Sequence, residues 1–267
     1  VILDPRIAVS GDWHGRLDLA PAAIDTVAAA GVRTLVQLGD LQMLFHGTAH
    51  EHERLRRLSA HLELRGVQLL VVPGNHDGYT AINRLPTDSE GVRRFDERIG
   101  FLPRGWRGRT ATGTTVAALG GANSIDVSTR GQQLFEDSLP NWWPEESITE
   151  ADLTALGHEP VDLLLGHDAP TSRALGEVLE RTDHLWDPAG LEYSKRGQRM
   201  FHRGFLQVKP RLVVSGHYHL SLETVESYVG DDGASFESRS VILNKLGLGP
   251  ANAVVDLPDL SVELLEE

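Results

Sequence analysis

Cysteine is absent from the 267 residues. Its absence excludes disulfides and thiolate metal sites, so any metal held here must be bound through nitrogen and oxygen. Long apolar runs are missing as well. Stretches such as LLVV at 69–72 and DLLLG at 162–166 are far too short to span a bilayer. The chain therefore reads as soluble, with no membrane partner and a cytoplasmic location, and a strand expected from Arg6 leaves no room ahead of it for a signal peptide. Positive charge is scarce: 25 Lys and Arg stand against 38 Asp and Glu, a formal net charge of −13. That balance disfavours the broad basic surface that extended nucleic-acid binding needs. It leaves a local positive site open, because a bound metal dominates its surroundings whatever the net charge.

What is present is ordinary for a globular chain, 40% hydrophobic and 24% charged, with neither a linker nor an internal repeat. One domain over 1–267 is expected. Short β-branched or leucine-rich runs alternate with helical patterns through the first third, in the manner of stacked βα units. Strands are expected at Arg6 to Ser10, Thr34 to Leu38 and Val67 to Val72, with helices at Pro21 to Ala30 and His50 to Leu64 between them. The region from Tyr79 to Glu159 predicts short strands and loops, closed by a helix start where Thr149 and Asp152 form a capping pattern. Beyond it come a strand at Asp162 to Leu165, helical patterns at Ser172 to Arg181 and Lys195 to Gln207, and a strand at Arg211 to Ser215. Leu222 to Leu265 reads as further strands with turns at Gly230 to Gly233 and Gly247 to Pro250.

Five of these strands run into a glycine followed by a polar residue, in the segments GDWHG (11–15), GD (39–40), GNHD (74–77), GHD (166–168) and GHYH (216–219). Open α/β sheets gather their ligands at such carboxyl ends, where loops from separate strands converge. Asp12 and His14 are separated by one residue, as are His217 and His219, so on an extended backbone each pair leaves from one face. Glycine ahead of each segment suits sharp turns and close backbone approach. Carboxylate, amide and imidazole donors in this number suit two hard cations about 3.5–4 Å apart, the arrangement that neutralises a phosphoryl group, acidifies water and stabilises a leaving oxygen.

Taken in order, these segments resemble the calcineurin-like metallophosphoesterase superfamily, whose pattern runs D-x-H, GD, GNH[DE], GH and GHxH. The resemblance covers about Ile7 to His219. It implies a four-layer α/β/β/α sandwich, two mixed sheets packed face to face with helices outside. It also implies a phosphoesterase acting on small phosphate esters through a hydroxide activated by two metals. By the family's roles, Asp12, His14 and His219 hold one cation, Asn75, His167 and His217 the other, and Asp40 bridges them. His76 protonates the leaving oxygen as general acid, with Asp77 orienting its ring. Two divalent cations outweigh Asp12, Asp40 and one hydroxide, so an acidic protein still offers a positive pocket to an anionic ester. Manganese, iron, zinc, nickel and magnesium all suit such donors.

Within the superfamily, the protein serine/threonine phosphatases carry GDxVDRG and GNHE where this chain has GDLQML and GNHD, which favours phosphodiester and small monoester substrates over phosphoproteins. A catalytically silent metal-binding scaffold, the fate of the retromer subunit, is marked by loss of the histidine after Asn; here His76 stands in that place. The segment GGANSIDVSTRG (120–131) resembles a glycine-rich loop of bacterial and phage members, where Arg130 could clamp a phosphoryl oxygen beside Asn75. Trp142 and Trp143 suit either a pocket wall or packing. Asp168 could orient His167. His46, His50 and His52 read as a solvated helix start, and His61, His158, His184 and His202 as structural.

Overall fold

The structure, a computed structural model, describes residues 2–130 and 142–265, the side chains of Ile2 and Arg130 excepted. Strands β1 (Ile2–Leu3) and β2 (Arg6–Ser10) lead through helix α1 (Ala20–Ala29), β3 (Thr34–Gln37), α2 (Ala49–Arg65) and β4 (Gln68–Val71) to the short α3 (Tyr79–Ile82). The next segment holds β5 (Arg93–Arg94), β6 (Ile99–Phe101), β7 (Trp106–Thr110), β8 (Thr115–Leu119), α4 (Val127–Arg130) and α5 (Glu150–Leu156). Then follow β9 (Leu163–Gly166), α6 (Arg173–Leu179), α7 (Pro188–Val208) and β10 (Leu212–Ser215). The chain continues with β11 (Leu222–Val229), β12 (Ser235–Ile242), β13 (Asn252–Asp256) and β14 (Ser261–Leu265).

The strands form two seven-stranded mixed sheets. One runs β14-β13-β2-β3-β4-β6-β5 and the other β1-β7-β8-β9-β10-β12-β11. Their central strands are parallel: Ala8 lies opposite Leu35, Leu35 opposite Leu69, and Leu212 opposite Leu163. Such strands are covered on both faces, so their middles are apolar, and their alternation sorts residues between two cores. Ile7, Val9, Val36 and Leu70 face the second sheet, meeting Val116, Leu163, Leu165 and Val214. Ala8, Leu35, Leu69 and Val71 face the other way, onto Ile24 and Val27 of α1 and Leu55, Leu58 and Leu62 of α2. On the far side, Ala117, Leu164 and Val213 turn outward onto Leu153 and Leu156 of α5 and Phe201 and Phe205 of α7. Three cores between four layers make the α/β/β/α sandwich that the family resemblance implied.

Helix ends follow local chemistry. Helix α2 opens on a capping box, in which Thr48 Oγ1 accepts from Glu51 N at 3.2 Å and Glu51 Oε2 from Thr48 N at 2.9 Å. The box expected at Thr149 and Asp152 opens α5. Helix α7 is longer than its apolar pattern suggests, beginning at Pro188 behind the cap Asp187, whose side chain accepts from Gly190 N at 3.0 Å. Its first half reads poorly as helix because glycine is unfavourable there. The reason is tertiary: a Cβ at Gly190 would stand 2.1 Å from the carbonyl oxygen of Ile125, so only glycine lets α7 close on that loop. Among the described residues, no helix is long and apolar enough to cross a membrane.

Phe205 is fully buried in the outer core and packs edge-on against Tyr228. Phe205→Ala is expected to lower the unfolding free energy by about 3–5 kcal/mol, whereas Thr48→Ala should cost about 1 kcal/mol. Urea unfolding followed by circular dichroism ranks the two.

Candidate metal centre

The five polar segments meet at one edge of the sandwich. Asp12 follows β2, Asp40 follows β3 and Asn75 follows β4 in the first sheet; His167 follows β9 and His217 follows β10 in the second. Two groups result, Asp12 with His14 and His219, and Asp40 with His167 and His217, each with its donor atoms within 4.8 Å of one another. Asp40 Oδ1 lies 3.3 Å from His167 Nε2 and its Oδ2 3.9 Å from His14 Nε2, so this carboxylate stands between the groups.

The pairs His14 with Asp12 and His217 with His219 converge, but not along an extended strand as their spacing suggested. His14 (φ 44°), Asp40 (φ 55°), His217 (φ 70°) and His219 (φ 51°) all adopt the left-handed conformation. Non-glycine residues hold it at a cost of order 1–3 kcal/mol when surrounding structure over-determines them, typically at functional sites. Tight turns, not strand alternation, aim these side chains. Crowding acts alongside: a Cβ at Gly74 would stand 2.4 Å from Asp40 Oδ1 and 2.7 Å from His167 Cε1.

The donor set fits cations. Asp12 and Asp40 are each 1% exposed, and among the described residues their partners are histidines and backbone amides, with no lysine or arginine. Asp12 Oδ1 accepts from His217 N at 2.9 Å and Asp40 Oδ1 from His76 N at 2.7 Å. Asp12 Oδ2 lies 3.0 Å from His219 Nε2, which itself lies 2.8 Å from His14 Nε2. Burial would push both carboxyls up, yet the histidines hold them below the usual range: Asp12 through the neighbouring imidazoles of His14 and His219, Asp40 through the nearby charges of His167 and His76. His217 is pushed down to about 3 by burial and by His167, which leaves it a neutral ligand.

Around Asn75 the arrangement is more telling. His167 Nδ1 donates to the Leu38 carbonyl at 2.7 Å, turning Nε2 into the site, where Asn75 Oδ1 faces it at 2.9 Å. Asn75 in turn donates through Nδ2 to Ser124 Oγ at 3.0 Å. Ser124 is held by the fully buried Glu146, whose Oε2 accepts from Ser124 Oγ at 2.6 Å and Oε1 from Ser124 N at 2.7 Å. His167 Nε2, Asn75 Oδ1 and Asp40 Oδ1 therefore converge on one small space, a nitrogen and oxygen donor set that suits a cation. Ser124 and Glu146 have no signature in the sequence: both act only through contacts made by the fold.

Other expected residues fall as follows. The Asp77 carboxylate is buried, pushed up to about 6 by burial and by Asp40. Its oxygens accept from Gln42 N and Gly74 N, each at 2.8 Å, so it ties down the loop that carries His76. His76 itself lies edge-on to His14, ring centres 5.3 Å apart. The Leu38 carbonyl, not Asp168, takes the Nδ1 proton of His167; Asp168 instead accepts from the Tyr218 hydroxyl at 2.5 Å. Trp143 is buried and stacks on Phe45, ring centres 5.5 Å apart, which makes it packing. The side chain of Arg130 lies outside the described residues. His46, His50 and His52 belong to neither donor group.

Above the donors opens a cleft of about 300 Å³ floored by Asp40, Asn75, His76, His217 and His219. If Ser124 aligns Asn75, Ser124→Ala should weaken cation binding by about 10–100-fold while leaving the fold intact, as measured by calorimetric titration with manganese.

The calcineurin-like phosphoesterase family model matches residues 5–221. Among solved structures, TT1561 of Thermus thermophilus aligns over 97% of this chain and 97% of its own, with 14% identity and a TM-score of 0.54. A second aligns over 99% of both chains with 15% identity and a TM-score of 0.55. A dimetal phosphatase from Danio rerio covers 93% of this chain and 91% of its own, with 12% identity and a TM-score of 0.42. No curated protein matches the chain by sequence. With the family match running through all five segments and the two-sheet sandwich beneath them, the chain belongs to the calcineurin-like phosphoesterase family and is a hydrolase of phosphoric esters.

Proposed function

We propose that the chain hydrolyses small phosphate esters, phosphodiesters foremost, at a centre of two divalent cations. The observation that carries this reading is the convergence on Asp40 of two nitrogen and oxygen donor groups, each built on a buried carboxylate. Asp12, His14 and His219 would hold one cation, Asn75, His167 and His217 the other, and Asp40 would serve both. When bound, the cations neutralise the phosphoryl oxygens and acidify the attacking water. Manganese is our first choice among metals that suit imidazole and carboxylate together.

The chain's own residues supply the rest. Asn75, fixed through Ser124 and Glu146, presents its oxygen to the site and leaves its amide on Ser124. His76 lines the cleft beside Asp40 and His14 and serves as general acid to the departing oxygen. Asp77 positions it through the backbone by anchoring Gly74 and Gln42. Because Asp40 Oδ1 accepts from His76 N at 2.7 Å, the bridging carboxylate and the acid share one rigid turn. Proton donation matters most where the leaving alkoxide is a poor one.

His76→Ala is expected to bind manganese as the parent protein does. It should lose about 100-fold or more in kcat on an alkyl phosphodiester and far less on a nitrophenyl ester; equal losses on both would remove His76 from the acid role. Asp40→Asn should abolish binding of the second cation, read as a drop in metal stoichiometry by elemental analysis, and with it turnover. Chelation should silence the parent protein reversibly, with activity returning on added manganese; activity that survives chelation would overturn the metal-centred reading.

A further inference from the structure

The walls of the cleft differ from its floor. Helix α7 contributes Leu191, Ser194, Lys195 and Gln198, spaced so that all four share one helix face. The turn ahead of α7 adds Trp186, which is 43% exposed, the end of α6 adds Leu179, and Ile125, whose carbonyl lies against Gly190 of α7, lines the cleft as well. An exposed tryptophan among leucine and isoleucine, lining the same cleft as the metal-donor side chains, is an apolar shelf beside a polar floor. Among the described lining residues, Lys195 is the one lysine or arginine. Its ammonium already pairs with Asp183 Oδ2 at 2.7 Å, so among the described lining residues no lysine or arginine is left uncommitted for a second phosphate.

The geometry points to a substrate whose phosphate carries an uncharged, planar organic group on the side away from the leaving oxygen, stacked on Trp186 and packed against Leu179, Leu191 and Ile125. A nucleoside is the chemical class that fits: a flat base for the tryptophan, without further negative charge. This assignment rests on the proposed hydrolysis at the same site and adds what the metal ligands leave open, the identity of the ester. Trp186 is a specificity-determining residue in this reading and takes no part in bond breaking. Gly190 lets α7 close on the Ile125 loop, which holds Ile125 and the α7 residues in one cleft.

The test compares methyl nitrophenyl phosphate with thymidine nitrophenyl phosphate on the manganese-loaded protein. The two esters share a leaving group, so a difference between them reports only the second substituent. Trp186→Ala should raise KM for the thymidine ester about tenfold, with kcat nearly unchanged and the methyl ester unaffected, and Trp186→Phe should restore most of the loss. Equal changes on both esters, or none on either, would overturn the assignment while leaving phosphoester hydrolysis in place. Calorimetric binding of thymidine monophosphate and of inorganic phosphate gives a readout independent of turnover. Should the parent protein hydrolyse neither ester, selective weakening of thymidine monophosphate by Trp186→Ala would uphold the shelf and sink the hydrolytic reading; parallel weakening of both ligands would sink the shelf.

Discussion

Two carboxylates buried with no lysine or arginine partner among the described residues govern this structure. Asp12 and Asp40 follow neighbouring parallel strands, each 1% exposed, and an isolated ionised carboxylate in such surroundings is strongly unfavourable. Everything near them answers that cost. Backbone amides of His217 and His76 donate to them, imidazoles crowd around, and both groups stay ionised against the push of burial. The left-handed turns at His14, Asp40, His217 and His219 belong to the same account, since only such turns bring donors from two sheets to one point. A pair of divalent cations completes the charge balance that the polypeptide leaves open.

The scaffold of this arrangement is legible in the residues because it is local. A doubly covered parallel strand must be apolar through its middle, so Arg6 to Ser10, Thr34 to Leu38 and Val67 to Val72 stand out, and each passes directly into a polar segment. The observed strands end within a residue of those bounds. The aim of the ligands is less legible. A spacing of two residues looks like strand alternation, but the chain leaves the sheet at Ser10 and Ser215, and the geometry of a turn takes over.

What stays hidden depends on distant contacts. Ser124 is 49 residues from the asparagine it orients and 22 from the glutamate that holds it, and nothing in ANSID or PEES marks either partner. Trp143 stands out as an aromatic, while Glu146, three residues on, does more for the site. The cleft wall is hidden for a related reason. The start of α7 trades helix propensity for closeness to the 120–130 loop, so the stretch that shapes the cleft looks least like a helix. Family resemblance reaches the ligands, which the shared chemistry demands, and the 120–131 loop, but not the start of α7 that forms the rest of the wall.

One feature of the centre bears on the chain as a whole. Asp12 and His219 meet across 207 positions, and the two sheets contribute ligands from opposite sides of their shared core. Cations bound at this point would clasp the halves of the molecule together. In a chain without cysteine they take the place of a disulfide, closing a loop of most of the sequence and removing conformations open to the unfolded chain. Unlike a disulfide, the clasp is set by the supply of metal outside the protein, so the same ions that equip the site for chemistry also couple the cohesion of the fold to its surroundings.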